Sequence, residues 1–121
     1  MTYQHHDRAN RLLDQIQNGD VRLVTTSAVL LELGAALSRV AHRVGAMPII
    51  RELQADARIE IINVGGKLLE QGLALFERRH NKEWSLTDCV SFEVMAQFDL
   101  SHALTADAHF EQAGFVALLR A

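Results

Sequence analysis

With a single cysteine, Cys89, among its 121 residues, the chain can form no internal disulfide. Cys89 sits inside an apolar helical run, which reads as a small buried hydrophobe in a protein kept in a reducing compartment. Long apolar runs are also missing. Nothing approaches the roughly 18 apolar residues that a membrane-spanning helix needs, and the N-terminus is polar rather than signal-like, so no membrane is expected and the expected location is cytoplasmic. There is no excess of positive charge: the formal charge is −3, with 22% charged residues of both signs. Any contact with nucleic acid would have to come from a local basic patch. Linkers, internal repeats and low-complexity tracts are absent as well, which leaves one compact domain over residues 1–121, large enough to bury a core. His5, His6, His42, His80, His102 and His109 show no zinc-ligand spacing with cysteine. Gly65-Gly66-Lys67 lacks the spacing of a phosphate-binding loop and reads as a strand-to-helix turn.

Against these absences stands a regular alternation of helical and strand-like patterns. Ala9, Leu12, Leu13 and Ile16 predict a helix over 3–18, stopped at Asn18-Gly19-Asp20. Val21 to Thr25 predicts a short strand. A helix over 27–44 follows, capped by Thr26 or Ser27, with Val29, Leu33, Leu37, Val40 and Val44 as its inner stripe and Gly45 as its end. Pro48 suits the first turn of a further helix to about Ala57. Ile59 to Val64 predicts a strand, 67–79 a helix and 86–98 another. A strand at 102–105, a short helix near 108–113 and a strand at 115–118 complete the pattern. Such alternation implies an α/β protein with a parallel sheet and helices on both faces.

Of the fifteen acidic residues, three stand apart. Glu32 falls on the shoulder of the apolar stripe at about 100° per residue. Its helical neighbours Ala28, Ala35 and Ala36 leave room for a metal, a water or a phosphate; the alternative is a boundary glutamate paired with Arg39. Ser85-Leu86-Thr87-Asp88 matches a capping box, which alone would account for Asp88. The helix that follows is apolar almost all round, however, and Asp88 points about 140–180° away from its polar strip of Glu93 and Gln97. An inward carboxylate is costly unless it is paired, hydrogen-bonded or bound to a cation. Asp107 comes just after a strand at the turn into a helix, where it reads either as an N-cap or as a group at the carboxyl end of a parallel sheet, the place where ligands bind. Carboxylates gathered there would be relieved of mutual repulsion by Mg2+ or Mn2+.

The segments Thr25-Thr26-Ser27-Ala28-Val29-Leu30-Leu31-Glu32, Trp84-Ser85-Leu86-Thr87-Asp88 and Ala103-Leu104-Thr105-Ala106-Asp107-Ala108-His109-Phe110 together resemble the acidic pocket of PIN-domain ribonucleases of the VapC-like toxin type. The resemblance runs over nearly the whole chain. It implies a PIN-like three-layer α/β fold, with a central parallel β-sheet flanked by helices, and a Mg2+- or Mn2+-dependent endoribonuclease acting as the toxin of a toxin-antitoxin pair. Glu32, Asp88 and Asp107 match the family's second, third and fourth acids and are thereby the implied catalytic and metal-binding residues. Thr105 resembles the hydroxyl that orients the site; Arg39 and Arg43 would line its mouth toward the RNA substrate. His109 is expected to pack or cap its turn, with substrate contact as the alternative. Arg78-Arg79-His80-Asn81-Lys82 is a second candidate for phosphate contact.

The family's first strand, which carries an aspartate followed by serine or threonine, precedes the helix that here starts near Tyr3. Asp7 and Asp14 lie in that helix and cannot replace its acid. The expectation is therefore a domain truncated at its N-terminus relative to the family, with weakened metal binding and activity. The alternative is a catalytically inactive PIN-fold binding protein. Strand edges at 21–25 and 102–105 would then either close on each other or be covered by a second chain, and a homodimer is expected alongside a cognate antitoxin.

Overall fold

The computed structural model describes residues 11, 12, 14–16, 18, 19 and 21–120, apart from the side chains of Val40, Ala41 and His42. Of the helix expected over 3–18, the described residues 11, 12, 14–16 and 18 are helical, and the rest lies outside the described residues. The chain packs as two compact units, one of residues Arg22–Gly66 and one of Lys67–Ala121 with the N-terminal residues up to Val21.

In the first unit, strand β1 (Leu23–Thr26) leads through helices α1 (Ser27–Ala36) and α2 (Val40–Ala55) to strand β2 (Ile59–Ile62). β1 and β2 pair in parallel, Leu23 opposite Ile59 and Thr26 opposite Ile62. A parallel pair needs a long crossover, and the two helices supply it. Thr26 is the N-cap of α1: its Oγ1 accepts the Val29 N–H at 3.3 Å. Ser27 Oγ accepts the Val64 N–H at 2.9 Å and so ties the chain beyond β2 to the start of α1.

The single helix expected over 27–44 is instead broken at residues 37–39. Leu37 leaves helical geometry at φ −104°, ψ 20°, and Arg39 is extended at φ −61°, ψ 141°. Ser38 Oγ donates to the Ala35 carbonyl at 2.9 Å, and Arg43 donates to the Ser38 carbonyl at 2.7 Å. A serine hydroxyl that competes for a helix carbonyl, with a guanidinium on the serine's own carbonyl, stabilises the break locally. The expected stripe is interrupted with it: Leu33 and Leu37 are half-buried, while Val29 and Val44 are exposed. Gly45 and Pro48, expected as a stop and a start, both lie inside α2. Proline removes one helical bond, here the one to the Val44 carbonyl, and Val44 is 84% exposed, so water can take the place of the missing donor.

The second unit holds α3 (Gly66–Arg78), α4 (Leu86–Gln97), β3 (His102–Ala103), α5 (Ala108–Gln112) and β4 (Val116–Ala117). β3 and β4 pair in parallel, His102 opposite Val116 and Ala103 opposite Ala117. Helices α4 and α5 end in the same way. Leu100 N–H bonds the Met95 carbonyl at 2.8 Å across Asp99 at φ 55°, and Phe115 N–H bonds the Phe110 carbonyl at 2.9 Å across Gly114 at φ 96°. Each is a Schellman turn that satisfies terminal carbonyls and sends the chain into the next strand.

The sheet expected to be continuous is, among the described residues, two parallel pairs, β1-β2 and β3-β4. β3 and β4 are only two residues each, and soon after β3 the chain enters the turn in which Asp107 N–H bonds Thr105 Oγ1.

The core of the second unit is Trp84, Cys89 and Phe92, with Leu75, Phe110, Ala113 and Phe115 packed around it. Phe92 meets Trp84 edge-on at 5.0 Å and Phe110 edge-on at 4.9 Å, geometries that suit the ring quadrupoles. Trp84 Nε1 donates to Gln112 at 3.1 Å, and the Arg79 guanidinium lies 5.1 Å from the Trp84 ring, so this member of the basic cluster is engaged within its own unit. Cys89 is fully buried and its thiol pKa is pushed up, foremost by burial and then by Asp88 and Glu93.

Gly72 lets α3 lie close against α4, since a Cβ there would stand 2.6 Å from Val90 Cγ2. Val90 is itself buried and β-branched, with little room to rotate. Gly72→Ala is expected to destabilise the protein by about 1–3 kcal/mol, as overpacking does, against the roughly 0.5–1 kcal/mol that alanine gains over glycine within a helix. Gly34→Ala in α1 meets nothing within 4 Å and should show only the gain. Urea unfolding of the two variants should give opposite signs; equal signs would remove the Gly72–Val90 contact as a constraint.

Candidate metal centre

Ser85 and Asp88 form a complete capping box at the start of α4. Asp88 N–H bonds Ser85 Oγ at 3.0 Å, and Ser85 N–H bonds Asp88 Oδ2 at 3.1 Å. The side chain of Asp88 is only 16% exposed, in keeping with the inward direction expected from the helical wheel, whereas Glu93, expected on the solvated face, is half-buried.

Asp107 is the N-cap of α5, with Oδ1 accepting the His109 N–H at 2.9 Å. Its own N–H bonds Thr105 Oγ1 at 3.0 Å, so the threonine hydroxyl shapes the turn that presents the acid. The two readings of Asp88 and Asp107, cap and site residue, are compatible, because each cap uses one carboxylate oxygen. Asp88 Oδ1 and Asp107 Oδ2 have no hydrogen-bond partner among the described residues.

The imidazole of His109 stands between the two acids. Nδ1 is 3.0 Å from Asp88 Oδ2 and 3.4 Å from Asp107 Oδ1, and the ring is 28% exposed. Asp88, Asp107 and His109 each offer one ligand atom, all within 4.8 Å of one another. Ligands on opposite sides of one Mg2+-sized ion are about 4.2 Å apart, so the cluster fits a single dication with small adjustment. The sequence reads His109 as a residue that packs or caps its turn, with substrate contact as the alternative. The available signal was its place two residues after the Asp107 cap, where the side-chain bond to its N–H turns the residue back toward the acid.

The remaining candidates lie in the other unit. Glu32 is exposed on α1 and makes no ion pair with Arg39 among the described residues. Arg39 is the extended N-cap residue of α2 with no side-chain capping bond, and Arg43 donates to the Ser38 carbonyl.

The sequence matches the profile of the PIN domain over residues 3–116. The chain belongs to the PIN-domain family. Among solved structures it is similar to the Mycobacterium tuberculosis toxin VapC20, described as cleaving the sarcin-ricin loop, with a TM-score of 0.79 and 28% identity over 93% of this chain and 83% of that one. No curated protein matches the chain. The PIN fold is three-layered α/β, and the parallel pairs described above are its strands. No helix among the described residues of this PIN domain is long and apolar enough to cross a membrane.

Ser85→Ala removes the hydroxyl half of the capping box and leaves the Asp88–His109 pair in place. It is expected to lower stability by about 1 kcal/mol, read from urea unfolding followed by far-UV circular dichroism. An unchanged midpoint would show that the box does not hold the start of α4.

Proposed function

We propose that this chain is an endoribonuclease that hydrolyses RNA phosphodiester bonds with Mg2+ or Mn2+, and that it is the toxin of a cytoplasmic toxin-antitoxin pair. The observation that carries the reading is the meeting of Asp88 and Asp107, from two separate helix starts, each with one carboxylate oxygen to spare. The PIN family generally uses divalent metal ions, and similarity to VapC20 supports RNA as the substrate and an antitoxin as a partner.

A dication held there would ease the deprotonation of a water and offset negative charge on the phosphodiester under attack. In this chain, Asp88 and Asp107 would hold the ion. Thr105 positions Asp107 through its backbone N–H. Glu32 enters the proposal from the resemblance of its segment, as do Arg39 and Arg43 as phosphate contacts.

The test is metal-dependent cleavage of RNA by the purified chain. Asp88→Asn and Asp107→Asn are expected to lower the rate by at least about 100-fold, at or beyond the roughly 10–100-fold seen for residues that merely orient ligands; Glu32→Gln should do the same. Full activity in any one of these variants would remove that acid from the set. Metal binding without cleavage by the unaltered chain would favour a non-catalytic binding protein of the same fold.

The same reading includes a homodimer. Leu31, Val44 and Ile49 of the first unit are apolar and more than half exposed, and such surface is commonly covered by a partner. Sedimentation velocity at micromolar concentration should show a dimer; a monodisperse monomer would remove this part.

A further inference from the structure

We propose that Arg120 is a positioning residue of the candidate centre, whose guanidinium fixes the peptide plane that carries Asp107. The inference rests on the reading of Asp107 as metal-binding. Its ground is the course of the chain after β4. Leu118 N–H bonds the Ala103 carbonyl at 2.9 Å and Leu119 N–H bonds the Thr105 carbonyl at 3.0 Å, so the C-terminal segment stays paired alongside 103–105 beyond the end of β4. Arg120 N–H then bonds the Ala117 carbonyl at 3.0 Å and closes a turn. Ala117 is buried, and Leu118 and Leu119 are half-buried. Arg120 therefore extends from an anchored backbone beside the turn that presents the acid.

From there its planar fork reaches two acceptors. Nη1 donates to the Ala106 carbonyl at 3.3 Å, and Nε donates to Glu111 Oε1 on α5. The first contact matters because the Ala106 carbonyl and the Asp107 N–H belong to one planar peptide group. The N–H end of that group bonds Thr105 Oγ1 at 3.0 Å. The plane is thus held at both ends, by Thr105 and by Arg120, and it cannot turn without breaking a bond. Turning it would change φ of Asp107, which stands at −81°, and with it the direction of the carboxylate. The second contact ties the same guanidinium to α5, the helix that Asp107 caps.

The side chains of Arg120 and Glu111 are 42% and 49% exposed. An ion pair so open to water adds little to global stability. Removing the guanidinium should therefore loosen the Asp107 turn and leave the fold intact.

The test uses the full chain and the variants Arg120→Ala and Arg120→Lys. Lysine keeps the charge but presents one ammonium in place of the fork, so a role of charge alone would be restored by it. In the metal-free protein, amide hydrogen exchange followed by NMR is expected to quicken about 10-fold or more at Asp107 and His109 in both variants, as a local opening does. Leu100 N–H and the urea midpoint should not move. Mn2+ affinity measured by calorimetry should fall about 10-fold, as for residues that orient ligands, with an unchanged KM for RNA at saturating Mn2+. Unaltered exchange at Asp107 and His109, or quickening spread evenly over all amides, overturns the inference. So does full Mn2+ affinity in both variants, or its restoration by lysine. A raised KM with Mn2+ affinity intact also overturns it, and makes Arg120 an RNA contact. Each of these results leaves the acidic site standing; failure of the unaltered chain to bind Mn2+ overturns both.

Discussion

The edge-on stacking of Phe92 between Trp84 and Phe110 is the contact on which the geometry of the candidate centre depends. Phe92 lies one helical turn beyond Asp88 on α4, and Phe110 follows His109 on α5. Locking the two rings at 4.9 Å therefore sets how the two helix starts approach each other. Cys89 fills the space beside them with no exposed surface, and Gly72 lets α3 close on Val90 from the other side. In a close-packed interior such contacts do not yield gradually. The separation of Asp88 from His109 is in this sense a property of the aromatic core.

The centre is made from the same parts that start and stop the helices. Asp88 closes a capping box and Asp107 caps α5, while the Schellman turns at Asp99 and Gly114 send the chain on into the short strands. Each carboxylate thus carries a structural hydrogen bond on one oxygen and leaves the other without a hydrogen-bond partner among the described residues. A substitution of either acid consequently removes a helix cap as well as a spare oxygen, whereas a substitution of Ser85 removes only the cap.

Most elements are legible in the sequence where a single period dominates. The apolar run of α4 and the β-branched run Ile59-Glu60-Ile61-Ile62 needed no partner to be read, and their observed limits lie within a residue or two of the expected ones. The break at residues 37–39 is not legible in this way. The apolar positions continue in helical phase through it, and what interrupts the helix is a serine hydroxyl and an arginine that find carbonyls only once the chain has turned. Pro48 misleads for a related reason: its missing donor matters little where Val44 is open to water.

Local chemistry by itself determined the helix caps and the identity of Asp88 and Asp107 as acids placed at helix starts. These depend on neighbours within about four residues, where side-chain oxygen, backbone N–H and helical period act without long-range contacts. Tertiary structure alone decided that His109 stands between those acids. Twenty-one positions separate it from Asp88, and no local rule brings an imidazole across that distance; the packing of Phe92 against Phe110 does.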